Sequence, residues 1–254
     1  MVMKFTFGAV LFFLLMSSAH AQITPPGLGD GVNASSWFAV GVKQDLNAEK
    51  GITSTTYAGM GSINGDGNDT PFGRAMIYVI NQEIEHHFAK RWKYSGAISY
   101  RWQNQFDDAP PYDHRQEIRL YGRYSYLIPG TFTNFSFTFR PELRLFYTPE
   151  FDPYKNKAQF RTRFASKMTV NLSPDKSKRL IAAAEFLIAS NKEDQWDAWQ
   201  YRESRFSVYY SHQLPNRNIT LNLGYMSNPF GKDFYHVGHY IAFDITLRNP
   251  FGEE

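Results

Sequence analysis

The sequence predicts an all-β protein, a single antiparallel up-and-down transmembrane β-barrel that follows an N-terminal signal peptide. From about Trp37 onward, apolar and polar residues alternate with a period of two, which is the side-chain period of a β-strand. The longest alternating runs have 13 or 14 residues, whereas strands of globular proteins usually have ~5–6 residues. Short connections alternate with longer polar ones, as in barrels of the bacterial outer membrane.

The first residues have the layout of a secretory signal peptide. Lys4 provides the positive charge, Phe5 to Met16 form a short apolar run, and Ala19-His20-Ala21 is a small-x-small cleavage site. The run is shorter than the ~20 residues that a membrane-spanning helix needs. We therefore predict cleavage after Ala21, with residues 1–21 as signal peptide, 22–34 as a periplasmic segment and 35–254 as a barrel in the outer membrane of a Gram-negative cell envelope.

Eleven segments of the chain carry the alternating pattern. They are Trp37–Lys43, Ile52–Met60, Met76–Glu85, Lys93–Phe106, Arg115–Leu127, Asn134–Tyr147, Phe160–Leu172, Leu180–Ala189, Arg202–His212, Ile219–Tyr225 and His239–Leu247. Bacterial single-chain barrels have even strand numbers, so we predict twelve strands, with ten as the second choice. Short connections are expected near Asn47–Lys50, Ala89–Arg91, Pro129–Thr133, Ser173–Lys178 and Gln213–Asn218. Longer ones are expected near Asn64–Pro71, Phe106–His114, Pro149–Asn156, Asn191–Asp197 and Asn228–Phe234.

The two faces of the predicted strands differ in a way that favours a membrane barrel over a soluble periplasmic β-protein. One face is rich in Phe, Tyr and Leu, while the other carries many Arg and Glu. Tyr94, Tyr126, Tyr147 and Tyr225 are predicted near strand ends, where aromatic girdles of membrane barrels lie. The apolar face is therefore expected to contact lipid, and the charged face is expected to line the interior.

The predicted inward face carries an extended charge network. Its members are Arg101, Arg115, Glu117, Arg119, Arg123, Arg140, Glu142, Arg144, Arg161, Arg163, Lys167, Glu185, Arg205 and Asp244. Two interpretations remain open. The charges pair with one another and fill a small barrel, or the arginines line a route for anionic solutes. A barrel of ten to twelve strands lies between filled eight-stranded barrels and open porins, so size does not decide.

Charge complementarity also predicts the register of one hairpin. If paired residue numbers add up to 261 across Pro129–Thr133, Glu117 lies opposite Arg144 and Arg119 lies opposite Glu142. A sum of 257 is equally complementary, whereas 259 places like charges opposite each other, which is unfavourable. We therefore predict the 261 or the 257 register.

Composition excludes several functional classes. With no Cys, the chain has no disulfide scaffold, thiolate nucleophile or cysteine-ligated metal site. A net charge of +3 is too small for an electrostatic nucleic-acid binder. A lipid hydrolase would need a Ser beside a His, and Ser211-His212 and Ser99 with His87 are the pairs considered. Neighbours on a strand point to opposite faces, which argues against Ser211-His212.

Metal sites find little support in the sequence. His86-His87 with Glu83 or Glu85 is a possible ligand set, but adjacent side chains on a strand diverge. Asp66-x-Asn68-Asp69 resembles part of a calcium loop and lacks its Gly and its distant Glu. We predict a non-enzymatic protein with no metal and no cofactor.

Four stretches of the chain form a recognisable set: FAKRWKYSGAISYRWQNQF, RQEIRLYGRYSY, FRPELRLFY and FRTRF. With these stretches the chain resembles, over roughly Trp37 to Leu247, the outer-membrane barrel family called domain of unknown function 2490. The resemblance implies an outer-membrane barrel with no established activity, so no functional residues carry over. Expected partners are outer-membrane lipid and, during insertion, periplasmic chaperones and the barrel-assembly machinery. Expected roles are a structural, surface or narrow permeation component; the alternatives are an enzyme acting on lipid or lipopolysaccharide, and an accessory barrel of an envelope complex.

Overall fold

The computed structural model describes Ile23, Pro25, Gly27 and residues 34–64, 70–105, 113–215, 217–231 and 236–251, with backbone alone for Gln105 and Asp113. The predicted signal peptide and the Asp66-x-Asn68-Asp69 segment lie outside these residues. Within the described residues there are eleven strands: β1 Ala34–Asn47, β2 Ile52–Ile63, β3 Arg74–Ala89, β4 Trp92–Gln105, β5 Asp113–Ile128, β6 Thr133–Tyr147, β7 Pro153–Asn171, β8 Lys178–Lys192, β9 Gln200–Gln213, β10 Ile219–Phe230 and β11 His236–Arg248. Among the same residues, no helix has the length and apolarity to cross a membrane.

The strands form one closed barrel in which each strand pairs with its neighbours in sequence, and β1 pairs with β11. The predicted numbers of twelve and ten are therefore wrong. Successive hairpins reverse the chain direction, so in an eleven-strand barrel the first and last strands point the same way. They pair in parallel from Ala34↔His239 to Lys43↔Arg248, which makes the sheet mixed. A parallel ladder also satisfies the backbone groups of both edges, so an even number is not required for closure.

From β1 to β6 short and long connections between the strands alternate, and the strands run further than the sequence pattern indicates. The connections 48–51 and 90–91 lie at one end of the barrel, whereas the strand ends Ile63 and Arg74, and Gln105 and Asp113, lie at the other. From β6 onward the strands are separated by five to seven residues, so the predicted alternation of short and long connections is wrong there. β10 continues to Phe230, because Pro229 and Phe230 still pair with β11. Tyr225 therefore lies in the middle of β10, and its predicted position near a strand end is wrong.

The two faces of the barrel wall have opposite chemistry. Ile98 and Leu120 point outward and are 52% and 46% exposed, while Arg101 and Glu117 on the same strands point inward and are 4% and 1% exposed. The outward aromatic rings also form a continuous row across five neighbouring strands. This row consists of Tyr94, Tyr124, Phe139, Phe164 and Phe186, which are successive cross-strand partners.

The interior itself has two different sides. Most interior charged residues lie on β3 to β9, whereas an apolar cluster is formed by Ile23 and by residues of β1, β3 and β8 to β11. This interior apolar cluster consists of Ile23, Trp37, Ala39, Met76, Ile77, Val79, Ile181, Tyr209, Met226, Tyr240 and Ala242. This cluster is not predicted from the sequence, because the alternating pattern indicates a polar inward face on every strand.

Two glycines make room for the largest rings of this cluster. A Cβ at Gly59 would overlap the indole of Trp37, and a Cβ at Gly224 would overlap the ring of Tyr209. Gly224 and Tyr209 are direct cross-strand partners on β10 and β9. Each ring therefore lies flat over a glycine of an adjacent strand, which is a close approach that a side chain would prevent.

The β5–β6 register differs from both predicted registers. Arg119 pairs with Arg144 and Tyr121 with Glu142, so the paired residue numbers add up to 263. The last pair of this ladder is Ile128↔Phe135, and the Gly130 N–H donates to Asn134 Oδ1 within the intervening loop, at 3.1 Å. The loop between paired residues is thus longer than Pro129–Thr133, and each added residue shifts the partners along the ladder.

Candidate functional site: the charged interior

The first charged group is centred on Glu117, which is 1% exposed. Its Oε1 accepts hydrogen bonds from Arg119 Nη2 at 2.7 Å and Arg144 Nε at 2.9 Å, and its Oε2 accepts one from Arg144 Nη2 at 2.6 Å. Arg101 Nη1 lies 3.9 Å from Oε2. Glu117 therefore binds two arginines that are direct cross-strand partners, and this diagonal contact compensates for like charges facing each other.

A second group is centred on Glu142 of β6, which is also 1% exposed. Arg161 Nε donates to Oε1 of Glu142, and Arg163 Nε lies 3.3 Å from Oε2. Arg140 Nη2 is 3.1 Å from Oε2, and its guanidinium stacks on the Tyr121 ring with its carbon 3.7 Å from the ring centroid. One carboxylate thus holds three guanidinium groups, those of the buried Arg161 and Arg163 and of the half-buried Arg140, and its removal would leave all three short of negative charge.

A chain of further ion pairs links the Glu142 group to β8 and β9. Arg163 Nη1 is 3.5 Å from Glu185 Oε2, and Arg205 Nη1 is 4.0 Å from the same oxygen. Arg205 Nη2 donates to Glu203 Oε1 at 2.5 Å, and Arg161 Nη1 is 3.7 Å from that oxygen. The side chains of β6 to β9 therefore form one connected network, and Glu203 is a member that the sequence analysis missed.

Another set of ion pairs lies towards the end where the β3–β4 turn is located. Glu83 Oε1 accepts a hydrogen bond from Ser95 at 2.5 Å, and Glu83 Oε2 is 3.5 Å from Arg123 Nη2. Lys93 donates to Glu85 Oε2 at 2.7 Å. The alternation of β3 is weak in the sequence, so its two carboxylates were considered only as metal ligands.

The N-terminal segment enters the barrel and contacts this network. Arg205 Nη1 donates to the Pro25 carbonyl oxygen at 3.3 Å, and Arg101 Nη2 donates to the Gly27 carbonyl oxygen at 3.2 Å. Ile23 is 4% exposed and belongs to the interior apolar cluster. Pro25 and Gly27 thus place their carbonyl groups on the charged side and Ile23 places its side chain on the apolar side, so these three described residues occupy interior space.

Three predicted network members lie apart from these groups. Arg115 donates to Gln103 Oε1 at 2.9 Å and stacks on Phe146. Lys167 is half-buried on β7, and Asp244 is fully buried on β11. The Asp244 Oδ1 accepts a hydrogen bond from Asn222 Nδ2 at 2.6 Å.

Positive charge is in excess among the interior groups of the described chain. The cations are Lys43, Lys93, Arg101, Arg115, Arg119, Arg123, Arg140, Arg144, Arg161, Arg163, Lys167, Arg179 and Arg205, and the carboxylates are Glu83, Glu85, Glu117, Glu142, Glu185, Glu203 and Asp244. Thirteen cations thus face seven carboxylates. Such an enclosed surface attracts anions and stabilises carbonyl oxygens, as it does for Pro25 and Gly27.

The structure separates the residues considered for catalysis. Ser211 is fully buried inside the barrel beside Arg179, whose Nη2 lies 3.3 Å from its Oγ, whereas His212 follows it on the outer face. Ser99 is paired with Asn81, six residues along β3 from His87. The side chains of each proposed Ser and His pair therefore point to opposite faces or lie far apart along the strands.

The residues considered as metal ligands do not converge on one point. His87 Nε2 is 3.1 Å from Glu85 Oε1, while His86 contacts the Tyr94 hydroxyl on the outer face. Within the described part of the chain, no group of three or more His, Asp or Glu residues has a geometry that could hold a metal ion.

The chain matches a known protein family over most of the barrel. Residues 78–232 match the family described as Protein of unknown function (DUF2490), and this match covers more than half of the chain. The chain belongs to the DUF2490 family. The DUF2490 match contains β4 to β10 in full, and hence the strands that carry the Glu117 and Glu142 groups. No curated protein matches the chain.

Proposed function

We propose that this DUF2490 protein is an integral outer-membrane β-barrel that acts as a non-enzymatic structural or surface component, with an interior closed by ion pairs and by its own N-terminal segment. The observation that carries the proposal is the reversal of burial: arginine and glutamate are buried, while phenylalanine, leucine and isoleucine are exposed. A closed barrel satisfies its backbone hydrogen bonds without water, which is a requirement for a β-structure in lipid.

The extent of the exposed apolar surface supports placement in a membrane. Soluble monomers rarely expose apolar patches larger than a few hundred Å². Here the row from Tyr94 to Phe186 crosses five strands, and Ile80, Ile98 and Leu223 continue the apolar surface on other strands. Outer-membrane lipid is thus the proposed partner of this face. The signal peptide and its cleavage after Ala21 form part of the proposal, as do the periplasmic chaperones and the barrel-assembly machinery.

A narrow pathway for anionic solutes is the second candidate function. It is favoured by the excess of interior cations, since cationic linings select anions in pores. Ile23, Pro25 and Gly27 argue against a pathway, because they occupy the interior through which solutes would pass. The carbonyl groups of Pro25 and Gly27 also accept hydrogen bonds from arginines that an open pathway would expose.

Conductance in planar bilayers tests the two functions. We expect little or no current from the wild-type barrel, because ion pairs and the N-terminal segment fill its interior. Deleting residues 22–33 after the signal peptide is expected to open anion-selective steps, since Arg101 and Arg205 lose their carbonyl partners and face free space. The steps should fall when Arg119→Ala is added, and they should not change with Lys157→Ala, which alters an exposed ion pair.

Two results of this measurement would contradict the proposal. Steady anion-selective steps from the wild-type protein would favour the permeation function over a closed barrel. A deletion variant that inserts correctly and still carries no current would show that the N-terminal segment is not what closes the interior.

A further inference from the structure

Two basic side chains inside the barrel have no anionic partner among the described residues. Lys43 on β1 is 8% exposed, and Lys167 on β7 is half-buried. The other interior cations of the described chain each make a hydrogen bond or an ion pair. The ammonium groups of Lys43 and Lys167 make neither with any described residue. A buried charge without a partner is costly, so an anion from elsewhere is expected beside these lysines.

The two lysines face each other across the same end of the barrel. β1 ends at Asn47 and β7 ends at Asn171, so each lysine lies four residues before the end of its strand. The odd-numbered strands all run towards the end that carries the connections 48–51 and 90–91. β1 and β7 lie on opposite sides of the wall, and Lys43 and Lys167 interact electrostatically across the space between them. Both ammonium groups therefore border one enclosed space at this end of the interior.

Two further cations border the same space. Lys93 near the start of β4 interacts electrostatically with both lysines, and Arg123 of β5 interacts with Lys167. Lys93 Nζ is 2.7 Å from an oxygen of Glu85, and Arg123 Nη2 is 3.5 Å from an oxygen of Glu83. We call these six residues the end cluster: Lys43, Lys93, Arg123, Lys167, Glu83 and Glu85. Four cations against two carboxylates leave the end cluster with two uncompensated positive charges.

The groups next to the end cluster do not change this balance. Asp45 also interacts with Lys43, but its Oδ2 is 3.2 Å from Arg248 Nη2, and this pair is neutral as a whole. The hydroxyl of Ser136, the direct cross-strand partner of Lys167, adds an uncharged donor to the same face. Ammonium, guanidinium and hydroxyl donors thus surround one space, in which two positive charges remain unbalanced by the described residues.

We propose that the end cluster binds one phosphate-type dianion, either inorganic phosphate or a phosphate monoester. A phosphate group carries about −1.5 to −2 charges at pH 7, which matches the two uncompensated positive charges. Its oxygens are strong acceptors, to which the ammonium groups of Lys43 and Lys167 donate from opposite walls. A chloride ion balances only one of the two charges, so phosphate is expected to bind more tightly.

This site depends on the interior of the barrel and not on the lipid around it. It goes beyond the structural role proposed above, and it can be tested in detergent micelles. A failure to bind phosphate would therefore leave the membrane placement untouched, since conductance and lipid exposure of the outer face test that placement separately.

Isothermal titration calorimetry tests the site on the protein purified from outer membranes in a detergent that contains no phosphate. Inorganic phosphate at neutral pH is titrated into the wild type, Lys43→Met and Lys167→Met, and sodium chloride is titrated at equal ionic strength. Methionine keeps an unbranched side chain and removes the charge. The matched control is Lys178→Met, which removes an exposed lysine at the start of β8, at the same end of the barrel. Heat-modifiable migration on gels establishes that each variant is folded.

We expect one phosphate per wild-type barrel, with a dissociation constant at least about tenfold lower than that for chloride. Lys43→Met and Lys167→Met are each expected to weaken phosphate binding at least about tenfold, which is the effect of losing one hydrogen bond between charged groups. Lys178→Met should bind phosphate as the wild type does.

A second arm of the experiment distinguishes a soluble phosphate from a lipid headgroup. The barrel is reconstituted in phosphatidylcholine vesicles that contain either phosphatidic acid, a phosphate monoester, or phosphatidylglycerol, an anionic phosphate diester. Weaker binding of inorganic phosphate with phosphatidic acid than with phosphatidylglycerol identifies a headgroup as the occupant. Equal binding in both kinds of vesicle identifies a soluble phosphate, and either result supports the site.

Three results would overturn the inference. The first is the absence of saturable phosphate binding by the wild type, which needs no variant. The second is equal affinity for phosphate and chloride, because the attraction is then one of net charge alone. The third is wild-type affinity in folded Lys43→Met and folded Lys167→Met, which would show that the end cluster does not hold the phosphate.

Discussion

Glu142→Gln is expected to lower the free energy of unfolding by about 3–5 kcal/mol, the usual cost of removing one partner from a buried ion pair. The side chain of Glu142 is fully buried, and it is the shared carboxylate of Arg140, Arg161 and Arg163. Glutamine has nearly the same shape, so the variant removes the charge without creating a cavity. Urea unfolding of the barrel in lipid vesicles, followed by tryptophan fluorescence, measures the change.

The matched control for this prediction is Asp194→Asn. Asp194 pairs with Lys157 at 2.9 Å, but its side chain is 95% exposed, and exposed pairs contribute only about 0–1 kcal/mol. Adding Arg161→Met to Glu142→Gln should recover part of the loss, because one uncompensated cation is removed. Equal, small effects of Glu142→Gln and Asp194→Asn would contradict the described network.

Ile98→Arg is expected to destabilise the barrel by about 2–4 kcal/mol in lipid vesicles, which is the cost of an arginine on the lipid face at the bilayer midplane. Ile98 is the seventh residue of the fourteen in β4, and its side chain is 52% exposed. On a soluble barrel the same exposed position would be in water, where most substitutions change stability by no more than about 0.5 kcal/mol. The same urea titration distinguishes these environments.

Phe132→Arg provides the control for Ile98→Arg. Phe132 is 72% exposed and lies in the connection between β5 and β6, near the end of the barrel. There an arginine is expected to cost only about 0–1 kcal/mol. A loss at position 98 no larger than that at position 132 would argue against lipid around the middle of β4.

The sequence was sufficient to predict which residues of β4 to β7 face inward, for a simple physical reason. A wall with an apolar outer face and a charged inner face requires alternation at every position, so Ile98, Arg101, Leu120 and Glu117 could be assigned without knowing their neighbours. The all-β fold follows from the same local signals, and so does the alternation of connection lengths from β1 to β6.

Features that depend on pairing between strands could not be predicted from the alternating pattern. The parallel pairing of β1 with β11 joins residues about 200 positions apart in sequence, and no local pattern indicates it. The β5–β6 register depends on one or two residues of loop length, which the charge pattern alone could not determine. Glu117 satisfies Arg119 and Arg144 by a diagonal contact, so complementarity did not require the predicted direct pairs.

The apolar side of the interior was missed because its strands are apolar on both faces. On β1 the inward Trp37 is followed by the outward Phe38, so the local pattern does not show which of the two rings points inward. The inward direction of Trp37 becomes clear only from Gly59 on the next strand. A large ring on one strand and a glycine on its neighbour is the sequence signal that points to such packing. The position of Ile23, Pro25 and Gly27 inside the barrel has no periodic signal in the sequence.

Lipid accessibility along the strands tests the central claim most directly. The chain contains no Cys, so single cysteines at Ile98, Phe164 and Leu223 on the outer face, and at Phe132 in a turn, can each carry one spin label. In lipid vesicles, we expect the three strand positions to collide more with dissolved oxygen than with a water-soluble nickel chelate, and position 132 to show the reverse. Greater accessibility to the chelate at all four positions, in a protein that stays monodisperse without detergent, would contradict a barrel embedded in the membrane.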